Sequence, residues 1–135
     1  MAIMNKKKIE HIAIASNTEE DSDKFFTGLL GLIKTRSFEV AADLMEKFFG
    51  VNKVQKIIRY ERRSLSFEVF ITNDNSKATD IFSHVCILIK ERDIFVNKAS
   101  SMGFPVIKVP RRDSNGYYLF IKDAFENLYE IKELE

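Results

Sequence analysis

Apolar and polar residues alternate along most of this chain, and stretches of helical periodicity interrupt the alternation at regular places. Lys8 to Ala15 reads as a strand with Ile9, His11, Ala13 and Ala15 on one face and Ile12 and Ile14 on the other. Apolar groups on both faces predict a strand covered on both sides. Ser16, Asn17 and Thr18 then offer helix N-caps, and Glu19, Glu20 and Asp21 suit the positive end of the helix that follows. Phe25, Phe26, Leu29 and Leu30 supply its core stripe, and Gly31 ends it.

Two or three strands come next, interrupted by an insertion. Within it Ala41, Leu44, Met45 and Phe48 recur at i, i+3, i+4 and i+7, so the segment Ala41 to Gly50 predicts a short amphipathic helix. Met45, Phe48 and Phe49 read as a stripe that joins the core rather than one that closes over a site. Val54 to Glu61 and Ser64 to Thr72 form a hairpin with Arg62 and Arg63 near its turn. In its second strand Leu65, Phe67, Val69 and Ile71 share one face, leaving Ser66, Glu68 and Phe70 on the other.

The polar stretch Thr72 to Lys77 is a linker, and after it the same order returns. Ile81 to Lys90 predicts a strand, and Glu91 to Met102 a helix with Ile94, Phe95, Ala99 and Met102 inward, ended by Gly103 and Pro105. Val106 to Val109, Tyr117 to Lys122 and Leu128 to Lys132 complete three more strands. The expectation is a single α+β domain over residues 1–135 made of two βαβββ modules, one spanning about residues 6–72 and the other about 80–135.

The repetition reaches individual residues. His11-Ile12-Ala13-Ile14 returns as His84-Val85-Cys86-Ile87, and Phe67-Glu68-Val69 returns as Tyr129-Glu130-Ile131. The two His-to-Glu spacings differ by little more than the length of the insertion. Each of these residues shares a strand face with small or apolar neighbours, where an unpaired ionised carboxylate is costly to bury. A divalent cation shared by two imidazoles and two carboxylates removes that cost, and mixed nitrogen and oxygen ligation suits Zn²⁺, Ni²⁺, Co²⁺, Fe²⁺ or Mn²⁺.

Composition narrows the setting. A chain of 135 residues with 45% hydrophobic content and 12 phenylalanines can bury one real core. Its 21 basic and 20 acidic side chains leave a formal charge of +1, which points to neither nucleic acid nor a membrane surface. Lys6-Lys7-Lys8 reads as a solvated lead-in. No apolar run approaches the ~20 residues that span a bilayer, and the first residues lack the apolar stretch and small-residue cleavage site expected of a signal peptide. With a single cysteine, Cys86, which reads as a small core residue, a reducing cytoplasmic setting is expected.

Taken in order, the His and Glu positions resemble the vicinal oxygen chelate superfamily, whose members include glyoxalase I, methylmalonyl-CoA epimerase, ring-cleaving dioxygenases and fosfomycin-resistance transferases. Phe25-Phe26-Thr27-Gly28-Leu29-Leu30-Gly31-Leu32 is similar to the family's helix end, and Phe120 to Ile131 to its "DPDGNxxEI" ending. The resemblance covers essentially the whole chain. It implies a cup-shaped mixed sheet, one divalent metal held by His11, Glu68, His84 and Glu130, and a homodimer acting on a small molecule, with a thiol conjugate or an acyl-CoA among the candidates. Two carboxylates in the set imply glyoxalase-like lyase or isomerase chemistry: proton transfer next to a carbonyl, with the metal stabilising an enediolate and Glu130 or Glu68 as base. The alternatives are a methylmalonyl-CoA-type epimerase and, more remotely, a ring-cleaving dioxygenase or a non-catalytic sequestering protein of antibiotic resistance.

Three further expectations concern arginines, tyrosines and the last turn. Arg111 and Arg112 precede a strand that should line the cup and are candidates for holding a substrate carboxylate or phosphate. Arg59, Arg62 and Arg63 read as hairpin surface, and of Tyr117 and Tyr118 at most one faces the substrate. Ala124-Phe125-Glu126 replaces the family's Pro-Asp-Gly, and Glu126 lacks glycine's freedom at positive φ. The sequence leaves open whether the site lies within one chain or between two.

Overall fold

The computed structural model describes residues 8–112 and 114–135, so of the basic lead-in Lys6 and Lys7 lie outside the described residues. Eight strands form two four-stranded sheets. Strands β1 (Ile12–Ser16), β2 (Ile33–Val40), β3 (Gln55–Arg62) and β4 (Leu65–Ile71) make the first, in the order β1-β4-β3-β2. Strands β5 (His84–Ile89), β6 (Val106–Pro110), β7 (Tyr117–Lys122) and β8 (Leu128–Glu133) repeat that order as β5-β8-β7-β6. In both sheets the first strand pairs parallel to the fourth and the remaining pairs are antiparallel. The α+β fold of two βαβββ modules is thus present.

Helix α1 opens with α geometry over Glu19–Ser22 and continues with π geometry over Asp23–Leu29. Thr18 is its N-cap, accepting from the Asp21 N–H, and Gly31 leaves it at positive φ. The π turns, shown by the Leu30 N–H donating to the Phe25 carbonyl, let consecutive residues face inward in different directions. Phe25 meets Phe104 and Tyr129 of the second module at 5.1 and 4.8 Å between ring centroids, while Phe26 meets Tyr60 and Phe67 of the first at 5.1 and 5.2 Å. One hydrophobic core therefore runs through both modules.

Several boundaries and faces differ from the alternation reading. Strand β1 begins at Ile12, one residue after His11, and it is covered on one side only, since Ala13 is exposed. Helix α3 (Arg92–Ser101) buries Val96 and Ala99 but leaves Ile94 exposed. Helix α2 (Ala42–Phe49) buries Met45, yet Phe48 is 64% exposed and Phe49 56%, so that pair is not core. Phe49 instead lies edge-on to Phe70, at 5.4 Å between centroids, on the face of the first sheet opposite the core.

The modules are stitched at the turn before β8. Asp123, 4% exposed, accepts from the Phe125 and Asn127 backbone N–H groups, the Asn127 amide and the Tyr129 hydroxyl. Asn127 also donates to the Ala15 carbonyl of β1, tying the two halves together at 2.8 Å. Glu126 takes φ of 68°, so the turn keeps its left-handed residue without the glycine. Burial raises the Asp123 carboxyl above its ordinary range, an effect opposed by these four donors.

Candidate metal centre

Register decides which side chains share a face. Ala13 stands beside Glu68 and Ile12 beside Phe67, so the core face of β1 carries Ile12 and Ile14 and the opposite face carries Ala13 and Ala15 together with Glu68. Across β3, Arg59 lies directly opposite Glu68. In the second sheet Cys86 stands beside Glu130, and Phe120 lies opposite Glu130 on the other side. His84 and Tyr118 belong to that same outer face by alternation.

Just before β1, His11 presents Nε2 to the Glu68 carboxylate at 3.2 Å. Its Nδ1 meets the Glu10 carboxylate. Arg59 joins them: Nη2 donates to Glu68 Oε2 at 2.7 Å, Nη1 donates to Glu10 Oε2 at 3.0 Å, and Nη2 also approaches His11 Nδ1 at 3.2 Å. The Glu10 carboxyl is held below its usual range by the hydrogen bonds from His11 and Arg59. Arg59 is therefore part of the site and not hairpin surface; its side chain is only 18% exposed. Arg62 and Arg63 are exposed, as expected of the turn.

The second pair repeats the first with fewer supports. His84 Nε2 faces Glu130 Oε1 at 3.5 Å, and Nδ1 donates to the Phe82 carbonyl at 2.9 Å. The His84 ring packs edge-on to Phe120, 5.9 Å between centroids. Cys86 is exposed on this face and not in the core, because among the described residues no helix or strand covers the outer side of β5. Partial desolvation, with Glu130 next, pushes its thiol up, away from nucleophilic reactivity.

Arg111 stacks over the Tyr118 ring at 4.2 Å on the Glu130 face, whereas Arg112 is exposed. Tyr117 turns to the other side, where its hydroxyl donates to Asp93 and Arg92 lies over its ring. Of the two tyrosines, Tyr118 alone shares the face of Glu130.

The chemistry of the donor set fits a divalent ion. The Phe82 carbonyl only accepts, so His84 Nδ1 carries the hydrogen, whereas His11 Nδ1 meets both an acceptor, Glu10, and a donor, Arg59. In that tautomer the His84 Nε2 lone pair faces a Glu130 oxygen, an opposition that a cation between them would relieve. Nitrogen and oxygen ligands bonded to one ion at about 2.0–2.2 Å come within about 3–3.5 Å of each other. Both pairs have that spacing.

The four residues are not gathered in one place, however. Among the described residues no three His, Cys, Asp or Glu side chains stand close enough to hold an ion together. Two cavities lined by residues of both modules, of about 530 and 260 Å³, are lined by neither Glu68 nor Glu130. One chain thus carries two separate His–Glu pairs.

No family model and no curated protein matches the chain. Solved structures do. A glyoxalase family protein from Enterococcus faecalis superposes with a TM-score of 0.70 at 18% identity, over 96% of this chain and 100% of that one. The chain has the glyoxalase fold. The fosfomycin resistance protein FosX from Listeria monocytogenes superposes with a TM-score of 0.68 at 14% identity, covering 96% and 95% of the two chains. A mutant of that FosX, complexed with Mn(II) and 1S,2S-dihydroxypropylphosphonic acid, gives 0.69 at 14% identity over 94% and 90%. The glyoxalase-like fold expected from the resemblance is thus the fold of these solved structures.

The sequence reading missed Arg59 and Glu10. A signal for Arg59 was available: with a two-residue turn at Arg63-Ser64, counting outward equally along both strands places Arg59 opposite Glu68.

Proposed function

We propose that the chain is a divalent-metal-dependent lyase or isomerase of the glyoxalase type, a single domain that moves a proton next to a carbonyl of a small oxygenated substrate. The observation that carries this reading is the repeated His–Glu pair, each imidazole fixed through Nδ1 and aimed through Nε2 at a carboxylate oxygen. His11, Glu68, His84 and Glu130 would hold the ion, with Zn, Ni, Co, Fe or Mn all compatible with the donors. A bound ion supplies Lewis acidity, polarising the carbonyl oxygen beside the carbon that loses its proton.

The chain's own groups divide the remaining work. Glu68 has one oxygen on Arg59 and the other toward His11, while Glu130 faces His84 and, among the described residues, has no guanidinium beside it. Glu130 is therefore the carboxylate free to swing, take the proton and return it to the neighbouring carbon. Arg111, braced on Tyr118, offers its fork to an anionic group of the substrate.

Two copies complete the site: His11 and Glu68 of one face His84 and Glu130 of the other. The outer face of the second sheet supports this, since Leu88, Ile107, Val109 and Tyr118 are exposed there in one copy. The cytoplasm, suggested by a lone exposed cysteine, is the proposed location. No helix among the described residues is long and apolar enough to cross a membrane.

Arg111 also favours a second reading, action on a small phosphonate, because FosX structures share the fold and one of them holds 1S,2S-dihydroxypropylphosphonic acid. One set of measurements separates the two. The metal-loaded protein is expected to exchange the α-proton of thiohemiacetals or 2-substituted acyl-CoA esters in deuterated water. Consumption of fosfomycin without such exchange selects the second reading. Substoichiometric metal that His84→Ala leaves unchanged sinks both.

A further inference from the structure

We propose that Arg59 and Glu10 are positioning residues that assemble the first half of the metal centre before an ion arrives; this rests on the metal-dependent reading above. The guanidinium engages Oε2 of Glu68 and leaves Oε1 toward His11 Nε2. The fork thus decides which oxygen is free to bind. Glu10 meets His11 Nδ1 and accepts from Arg59 Nη1, so one carboxylate ties the imidazole to the guanidinium. Histidine ligands are oriented in this way by a partner on the other ring nitrogen, and ligating carboxylates by their own hydrogen bonds.

Two observations argue that the arginine is there for its fork. Arg59 Nε is buried without a partner, a cost that a simple surface ion pair would avoid. The repeat is also broken at this point: the residue opposite Glu68 is Arg59, whereas the residue opposite Glu130 is Phe120. The charge clamp belongs to the first half-site alone, which fixes Glu68 as the standing ligand and leaves Glu130 mobile.

The test is calorimetric titration of the full chain with MnCl₂, together with the Mn(II) paramagnetic resonance spectrum and the thermal midpoint of the metal-free protein. Arg59→Met is expected to weaken Mn²⁺ binding about 10–100-fold. Arg59→Lys, a charge without a fork, should fall between, with an altered spectrum. Glu10→Gln, at an exposed position, serves where Arg59→Met fails to fold and should weaken binding in the same direction. Folded variants with wild-type or tighter binding overturn the proposal. Wild-type protein that takes up no divalent ion overturns the metal reading itself, and this role with it.

Discussion

The two half-sites descend from the same sequence phrase yet are held in different ways. In the first, His11 and Glu68 are embedded in charge: Glu10 on one side and Arg59 across the strand. In the second, His84 is fixed by the Phe82 carbonyl and by the edge of Phe120, and Glu130 has no guanidinium. A repeated strand arrangement therefore sets where the His and Glu side chains go, while cross-strand neighbours set how they are braced. One pair is clamped by charge, and the other is not.

The largest expected effect tests whether the halves meet between copies. His11→Ala and His84→Ala should each lower metal affinity at least about 100-fold, in line with loss of an imidazole ligand. Mixing the two inactive variants under conditions that allow subunit exchange should restore part of the metal uptake, because each mixed dimer regains one intact set of four. Absence of any recovery, with exchange confirmed, breaks the two-copy site.

The next effect falls on the second module. Asp123→Ala leaves four donors without their acceptor in a buried turn and should cost about 2–4 kcal/mol in urea unfolding. Asp123→Asn, which keeps an acceptor, should cost less. The turn itself offers a gain: Glu126, at φ of 68°, occupies a conformation that glycine takes freely, and Glu126→Gly should stabilise by about 0.5–1 kcal/mol.

The smallest effect belongs to the first module and to acid. Glu19 binds Lys34 and Lys56, each at 2.6 Å, which lowers its carboxyl to about 2. A depressed carboxylate adds stability that is complete above the ordinary value of 4.5 and is lost as pH falls toward 2. Because these groups are about one-third exposed, screening limits the contribution to a few tenths of a kcal/mol. Glu19→Gln should flatten that part of the pH–stability curve, and so should high salt.

Much of this architecture was legible because a strand repeats its chemistry every second residue. The alternation around Glu68 and Glu130, with the echoed His phrases, was enough to expect the module order and the two pairs. Features that depend on what lies across a strand or over a face were harder to read. Arg59 looked like one more hairpin cation because its partner is nine residues away on the next strand. Cys86 and Phe48 looked like core because periodicity marks a face as apolar without saying whether anything covers it. The π geometry of α1 left no trace, since no residue type is reserved for it.

That π segment also gives the chain a direction. Its counterpart α3 is a regular α-helix that buries Val96 and Ala99, and it has no consecutive pair of rings reaching into both sheets. The halves are thus alike in topology but not interchangeable. Two copies of the second module would keep the strand order and lose the clasp, because the rings that join the sheets belong to Phe25 and Phe26 alone of the two helices.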